Sequence, residues 1–387
     1  MPAERRIAVV TGSRADWGLL QPVAALLKSE PGTVLQVVVT GSHLAPEFGS
    51  SVDEIEADGF AVASRVAMLE PGDTPRDSAR STGRGVAACA DAFAALRPHL
   101  VLLLGDRFEI FAAAAAAAIM RIPIAHLCGG DVTEGAVDDS LRHAITKLAH
   151  LHFPTNEPAA HRIAAMGEPR ARIHAVGSTG LDRIRAVADP GRTATFAALG
   201  IAPRARNLLV TFHPETARPG RALAQLDELL AAVDALGADY AFIVTKANAD
   251  AEGRAINARL DSWAAGRADV ALRASLGGAL YVNAMRHADA VVGNSSSGLY
   301  EAPFLQRPSV NLGERQAGRP RAASVVDAPV ARAAIIAAIA RALALDASAV
   351  ASPYGDGRSA PRVVAVLRGI AEFAALLDKP SFREAAA

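Results

Sequence analysis

The chain of 387 residues is poor in cysteine, with only Cys89 and Cys128. Two cysteines cannot build a disulfide framework, which suits a core-stabilised protein in a reducing compartment. An excess of charge of one sign is also missing, since 40 Lys and Arg balance 40 Asp and Glu. That excludes the basic surplus of a general nucleic-acid binder. No hydrophobic run is long enough to span a membrane. The most membrane-like stretch, Ile110 to Met120 with seven consecutive alanines, is flanked by Asp106, Glu109 and Arg121 and has about half of the ~20 residues a spanning helix needs. An alanine run of this kind lets a helix pack close against a sheet. The opening MPAERRIAVVTG carries no signal-type apolar stretch, so the expectation is a cytoplasmic protein. Cofactor fingerprints are absent too: no G-x-G-x-x-G follows a strand, and there is no HExxH, no acidic calcium loop and no G-x-S-x-G. Their absence leaves a metal or redox cofactor without support. Disorder is excluded by 51% hydrophobic and 21% charged residues.

What is present is an alternation. Short β-branched apolar runs are separated by alanine-rich amphipathic stretches, the pattern of parallel sheets with crossover helices. The first half predicts strands at 7–11, 34–40, 100–106, 122–127, 151–155 and 173–178, and helices over 17–28, 77–96 and 138–149. An Arg-, Ala- and Pro-rich interval at 181–206 has no clear strand. The pattern then restarts with strands at 207–215, 240–248, 270–273, 288–294 and 308–312, and ends in a helix-like stretch over 361–377. Near-continuous apolar strands suit sheets buried on both faces. The expected architecture is α/β, with two Rossmann-like doubly wound domains, 1–184 and 185–360, facing across a cleft. A C-terminal helix at 361–383 is free to pack on the first.

In open α/β sheets ligands bind beyond the carboxyl ends of the strands. The residues that directly follow strand runs are Gly12-Ser13-Arg14, Gly41-Ser42-His43, Gly105-Asp106-Arg107, Gly129-Gly130-Asp131, His213-Pro214-Glu215, Asn248-Ala249-Asp250 and Asn294 to Gly298. The segment GNSSSGLYEAP, 293–303, opens a helix-like stretch. Its small residues and free N–H groups suit a phosphate, and an ordinary serine N-cap is the competing reading. Glu301 lies about one turn inside, at a spacing that serves ribose hydroxyls or a solvated helix face. Arg14 is a diphosphate ligand or a surface neighbour of Asp16. Asp106 ends the most hydrophobic strand, where partial desolvation suits a carboxyl to acid–base work; a helix cap is the alternative. Asp131, Glu134, Asp138 and Asp139 follow the next strand, and one of the last two reads as a cap. His213 ends the first strand of the second half, where Pro214 turns the chain.

GSRADWG, TGSHL, LLGDRFEIF, HLCGGDVTEG with DDSLRHAITK, FHPET, NAD, GNSSSGLYEAP and NLGERQAGRPRAASV occur in this order over about residues 7 to 330. The ordered set resembles the hydrolysing UDP-N-acetylglucosamine 2-epimerases of bacterial sialic-acid and legionaminic-acid pathways. The resemblance implies a GT-B-like fold with the active site between the halves. It implies conversion of UDP-N-acetylglucosamine and water to N-acetylmannosamine and UDP through a 2-acetamidoglucal, with a UDP-sugar as the partner molecule and a homodimer or homotetramer as the assembly. By motif position it implies Asp106 and Asp131 as the proton-handling pair, Glu134 and Asp138 behind them, and His213 as an assistant. Arg14, Ser295, Ser296, Ser297, Gly298 and Arg273 would hold the diphosphate, and Glu301 the ribose. Gly12, His43, Arg107, Asn248, Asp250, Gln316, Arg319 and Arg321 would line the sugar site or cleft. Family members carry glutamates where this chain has Cys128 and Asp131, and the GDVTEGAVDD stretch varies with the sugar. Variant substrates therefore stand beside the parent one: a 6-deoxy-diacetamido sugar linked to UDP, or a GDP-sugar. A glycosyltransferase on the same fold is the further alternative.

Overall fold

A computed structural model describes residues 4–45, 51–72, 74–132, 137–215, 220–247 and 252–379. The chain forms two compact units: residues up to Arg183 together with those from Gly357 onward, and Ile184–Asp356.

The first unit runs β1 (Arg5–Thr11), α1 (Arg14–Ser29), β2 (Thr33–Thr40), α2 (Val52–Ala57), β3 (Val62–Val66), α3 (Pro75–Leu96), β4 (Leu100–Leu104), α4 (Phe108–Ile119), β5 (Ile124–Leu127), α5 (Val137–Leu148), β6 (Leu151–Phe153), α6 (Glu157–Ala165) and α7 (Thr179–Ala186), within which the chain passes to the second unit. The second continues with α8 (Arg192–Leu199), β7 (Arg206–Thr211), α9 (Ala222–Asp234), β8 (Tyr240–Thr245), α10 (Gly253–Ala264), β9 (Val270–Arg273), α11 (Gly277–His287), β10 (Ala290–Gly293), α12 (Ser297–Phe304), β11 (Ser309–Leu312), β12 (Val325–Ala328) and α13 (Arg332–Ala344). Last comes α14 (Ser359–Gly369), which packs on α1 of the first unit.

Each unit holds one parallel six-stranded sheet, in the orders β3-β2-β1-β4-β5-β6 and β12-β11-β10-β7-β8-β9. Both are the doubly wound order. The direction of winding reverses between β1 and β4 in one sheet and between β7 and β10 in the other, which is where such folds open a crevice. Strands buried on both faces explain the continuous apolar runs. In β4, Leu100, Leu102 and Leu104 join the core layer with α1 and α14, while Val101 and Leu103 join the layer with α3 and α4. The alanine run of α4 lies in that second layer, with Ala113, Ala114, Ala116 and Ala117 buried against the sheet. No helix among the described residues is long and apolar enough to cross a membrane.

Three strand expectations change. Residues 173–178 are not a strand, and only Ile173 bridges His152. His174 and Val176 donate to the carbonyls of His152 and Pro154, but Pro154 has no N–H with which to return a ladder bond. Conversely β3 and β12, absent from the sequence expectation, close the two sheets at their edges. Both are short and half-exposed, carrying Arg65 and Asp327 on their outer faces. The expected C-terminal helix divides into α14 and a short 3-10 turn at Phe373–Leu377.

Candidate active site

In the first unit, three strand exits and α5 assemble a group of polar and charged side chains around one arginine. Gly105, at φ 84, turns the chain after β4. The N-cap of α4 then falls on Arg107, and no side chain caps it. Asp106 is thereby spared from capping, and its carboxylate accepts a hydrogen bond from Arg142 of α5. Arg142 is buried, and its other terminal nitrogen donates to the Asp131 carbonyl at 2.8 Å and to Asp139 at 3.1 Å. The Asp131 carboxylate accepts from Thr155 at 3.2 Å and from Asn156 at 3.3 Å, both beyond β6. Asp138 keeps solvent contact. Its carboxyl is nonetheless pushed up by the protein packed around it and by the charge of Asp106, against the pull of Arg107 and Arg142. Asp106, Asp131, Asp138 and Asp139 are thus gathered around a single guanidinium. Glu134 lies outside the described residues.

A second acidic pair lies at the β1–β4 reversal. Glu109 is 1% exposed and paired with Arg107 at 2.9 Å. Asp16 is buried beside it, and burial pushes its carboxyl up to about 6 despite the Ser13 hydroxyl and Arg107. Gly12 and Gly41 permit this crowding. A Cβ on Gly41, which sits at φ 56, would come within 2.7 Å of the Gly12 carbonyl and 2.9 Å of Glu109. His43 uses both ring nitrogens, with Thr11 at 2.9 Å and Ser51 at 2.8 Å. Burial lowers it to about 4, so it is a neutral brace under the β1 and β2 exits. Arg14 is exposed and paired with Glu54 at 2.7 Å. The Cys128 thiol is kept protonated by burial and by the charges of Asp131 and Asp106.

In the second unit, β7 and β10 are drawn together at their carboxyl ends. Gly293, at φ 140, lies so close to the Thr211 backbone that any Cβ would collide with it. Asn294, fully buried, accepts from the His213 N–H and donates to the His213 carbonyl, each at 2.7 Å. Gln316 donates to the Asn294 carbonyl at 2.9 Å and accepts from Arg319 at 2.8 Å. The Ser295 hydroxyl accepts from the Ser297 N–H at 3.3 Å and meets the Ser297 hydroxyl at 3.0 Å. No side-chain cap bond forms at Ser296, the N-cap of α12. Ser309 fixes the Gly298 carbonyl at 2.6 Å. Glu301, one turn into α12, is pushed up to about 7 by burial, and its Oε2 is buried without a hydrogen-bond partner. Two of the expected residues are engaged structurally. Arg273 donates to the Leu199 and Leu272 carbonyls, and Arg321 is paired with Asp327 at 2.7 Å. Asn248 and Asp250 lie outside the described residues.

Small side chains, hydroxyls and a helix start can hold a diphosphate; a set of carboxyls around an arginine can move protons. Among the described residues no three His, Cys, Asp or Glu side chains are grouped to hold a metal ion.

The family model described as UDP-N-acetylglucosamine 2-epimerase matches residues 25–368. The chain belongs to that family. It is thus one of the nucleotide-sugar 2-epimerase enzymes. Among its relatives is the hydrolysing GDP/UDP-N,N'-diacetylbacillosamine 2-epimerase of Campylobacter jejuni, 35% identical over 85% of each chain. The hydrolysing UDP-N,N'-diacetylbacillosamine 2-epimerase of Legionella pneumophila is 32% identical over 97% of this chain and 98% of that one. In fold, the chain matches the UDP-GlcNAc 2-epimerase of Neisseria meningitidis bound to UDP-GlcNAc with a TM-score of 0.79, at 17% identity, over 94% of this chain and 100% of that one.

Some members of the site escaped the sequence reading. Arg142 lies inside the quoted RHAITK motif, and its signal was the spacing Asp138, Arg142, Thr146, which stacks three polar residues on one helix face. Glu109 entered the sequence reading only as a charge beside the alanine run.

Proposed function

We propose that the protein is a hydrolysing 2-epimerase of a UDP-linked 2,4-diacetamido-2,4,6-trideoxyglucose (N,N'-diacetylbacillosamine), releasing UDP and the free C2-epimer. The arrangement that carries the reading is the set of carboxyls around Arg142, together with the hydroxyl-lined start of α12. The choice of sugar is supported by the names of the Campylobacter and Legionella relatives. UDP-N-acetylglucosamine is the second reading, favoured by the family's own description.

The C2 hydrogen of such a sugar is weakly acidic, so its removal is coupled to loss of the leaving group. Asp106 takes the C2 proton, the C2–H electrons form the C1–C2 double bond, and the C1–O bond breaks with its pair going to UDP. The products of this step are a 2-acetamidoglucal and UDP. Water then adds its oxygen to C1 while Asp138 returns a proton to C2 on the opposite face; the proton that water loses passes to the Asp138 carboxylate, and Asp106 releases the C2 proton to solvent. Burial and the nearby Asp106 charge favour the protonated form of Asp138, which suits it to the donor role. Asp131, held by Thr155 and Asn156, orients the sugar. Ser295 and Ser297 donate to the departing diphosphate, and Glu301 receives the ribose hydroxyls. Arg14, whose partner Glu54 is exposed, is free to exchange that partner for a phosphate.

The test is proton NMR in deuterated water over a panel of UDP- and GDP-sugars. Free UDP and a C2-deuterated epimer from the diacetamido substrate support the reading. Turnover confined to UDP-N-acetylglucosamine moves the assignment to the second reading. Accumulation of a UDP-linked epimer, or transfer to an acceptor without deuterium uptake, overturns both. A homodimer or homotetramer is part of the proposal, and light scattering on the eluted protein decides it.

A further inference from the structure

One buried residue of the first unit has no part in the chemistry above. His126 lies on β5, paired with Leu103 of β4, and is fully buried. Its Nε2 meets the Gly105 carbonyl at 2.8 Å, and its Nδ1 meets the Thr146 hydroxyl of α5 at 3.2 Å. A carbonyl oxygen can only accept, so Nε2 carries the proton. Burial holds the ring down at about 3, so it is neutral and Nδ1 keeps its lone pair. Thr146 is therefore the donor on that side. Gly129 leaves the room for this, since a Cβ there would come within 2.9 Å of both His126 Nδ1 and the Thr146 hydroxyl oxygen.

Both ends of this bridge lead to Asp106. Gly105 immediately precedes it, and the Gly105 peptide is held twice: its N–H donates to the Leu127 carbonyl at 3.1 Å and its carbonyl accepts from His126. Thr146 stands four residues after Arg142, one turn along the same face of α5, and Arg142 holds the Asp106 carboxylate. A closed circuit thus runs from Asp106 through Arg142, Thr146, His126 and Gly105 back to Asp106. The guanidinium fixes the carboxylate, and the imidazole fixes the backbone that carries it. His126 and Thr146 are both fully buried. Either group left without its partner would be costly there, so the circuit holds its shape.

We propose that His126 is a positioning residue of the acidic site, setting where Asp106 stands relative to Arg142 by tying the peptide before Asp106 to α5. The proposal rests on the reading that Asp106 takes the C2 proton.

Thr146→Val keeps the shape of the side chain and removes the O–H, and Thr146→Ser restores it. Values of kcat and KM are measured for the wild type, both Thr146 variants, His126→Gln and Asp106→Asn. The substrate is UDP-N,N'-diacetylbacillosamine, or UDP-N-acetylglucosamine where the NMR panel selects it. Thr146→Val and His126→Gln are each expected to lower kcat about tenfold and to leave KM within about twofold, as for a shift of the base smaller than the 1 Å that costs about a hundredfold. Thr146→Ser is expected to return kcat toward the wild-type value, and Asp106→Asn to abolish turnover. If Asp106→Asn is inactive while Thr146→Val and His126→Gln match the wild type, the brace is wrong and the reading of Asp106 stands. If Asp106→Asn turns over normally, that reading falls and takes the brace with it. Equal losses in Thr146→Val and Thr146→Ser mean that packing, not the hydrogen bond, matters, and overturn the proposal. Nitrogen NMR of the wild type supplies a readout that needs no variant to fold. A proton on His126 Nε2 with Nδ1 bare is expected at pH 7, and a proton on Nδ1 overturns the proposal.

Discussion

The Asp106 carboxylate is held by Arg142, a guanidinium only 5% exposed. The same side chain fixes the Asp131 carbonyl, so one residue sets the separation of two strand exits. Lysine keeps a charge but lacks the planar fork that serves both partners. Arg142→Lys is therefore expected to lower kcat by roughly a hundredfold, in the range for loss of one preorganised electrostatic contact. UDP affinity should change by less than about twofold, because Ser295 and Ser297, assigned to the diphosphate, lie in the other unit and Arg14 is paired with Glu54 rather than with the Arg142 cluster. Steady-state rates and a UDP titration check this, and a kcat near that of the wild type removes Arg142 from the site.

Asn294 clasps the His213 backbone with both ends of its amide. Asn294→Ala strands an N–H and a carbonyl in a buried place, at about 1–3 kcal/mol for an unsatisfied group. Asn294→Asp keeps the acceptor, but a carboxylate cannot donate to the His213 carbonyl and adds a buried charge. The aspartate variant should be the less stable of the two in urea denaturation. Wild-type stability in Asn294→Asp would mean that the clasp does not hold the β7 and β10 exits together.

The two sheets and the switch-point residues were legible in the sequence because one signal, apolar runs ending in Gly, Ser, Asp or Asn, repeats along the interior strands, β7 with its His213-Pro214 turn excepted. That signal fails at edges. β3 reads VASRV and β12 reads VVDA, and each presents polar residues to solvent. It also misled at 173–178, where Val176 is buried without being in a strand. Within the site, Asp106, Asp131 and Ser295 could be read because they directly follow strands. Arg142 could not be read that way. It approaches from the middle of a helix, and nothing local distinguishes a helix residue aimed at a sheet's edge from one packed on its face.

Glu301 gives a pH-dependent signature. Its folded-state pKa is raised from the ordinary 4.5 to about 7, chiefly by burial. A carboxyl raised in this way contributes its full stability below its unfolded pKa and loses it as pH rises through the folded value. Wild-type stability should thus fall relative to Glu301→Gln between about pH 4.5 and 7. Melting both proteins across pH 4 to 8 tests this, and the difference in Tm should open in favour of the glutamine variant only toward the alkaline end. A constant difference would show that the carboxyl ionises in place without penalty.

Glu168 has the opposite sign. Its side chain is fully buried and accepts from His152 at 3.0 Å, Lys379 at 2.7 Å and Lys147 at 2.5 Å. Burial alone would raise its pKa, but these three donors outweigh it and bring the carboxyl down to about 2. The contribution is present above the unfolded pKa near 4.5 and is lost as pH falls toward 2. Glu168→Gln leaves cationic groups around a neutral amide, and breaking a buried pair in this way costs about 3–5 kcal/mol. The loss should reach beyond α5 and β6, because Lys379 also donates to the carbonyls of Lys147 and Ala149 and so ties the C-terminal segment to the end of α5. In urea denaturation the gap between wild type and Glu168→Gln should be wide at pH 7 and narrow toward pH 3. Amide exchange in Phe373–Leu377 should quicken in the variant. A gap that stays the same at both pH values would mean that the four side chains are neighbours without being coupled.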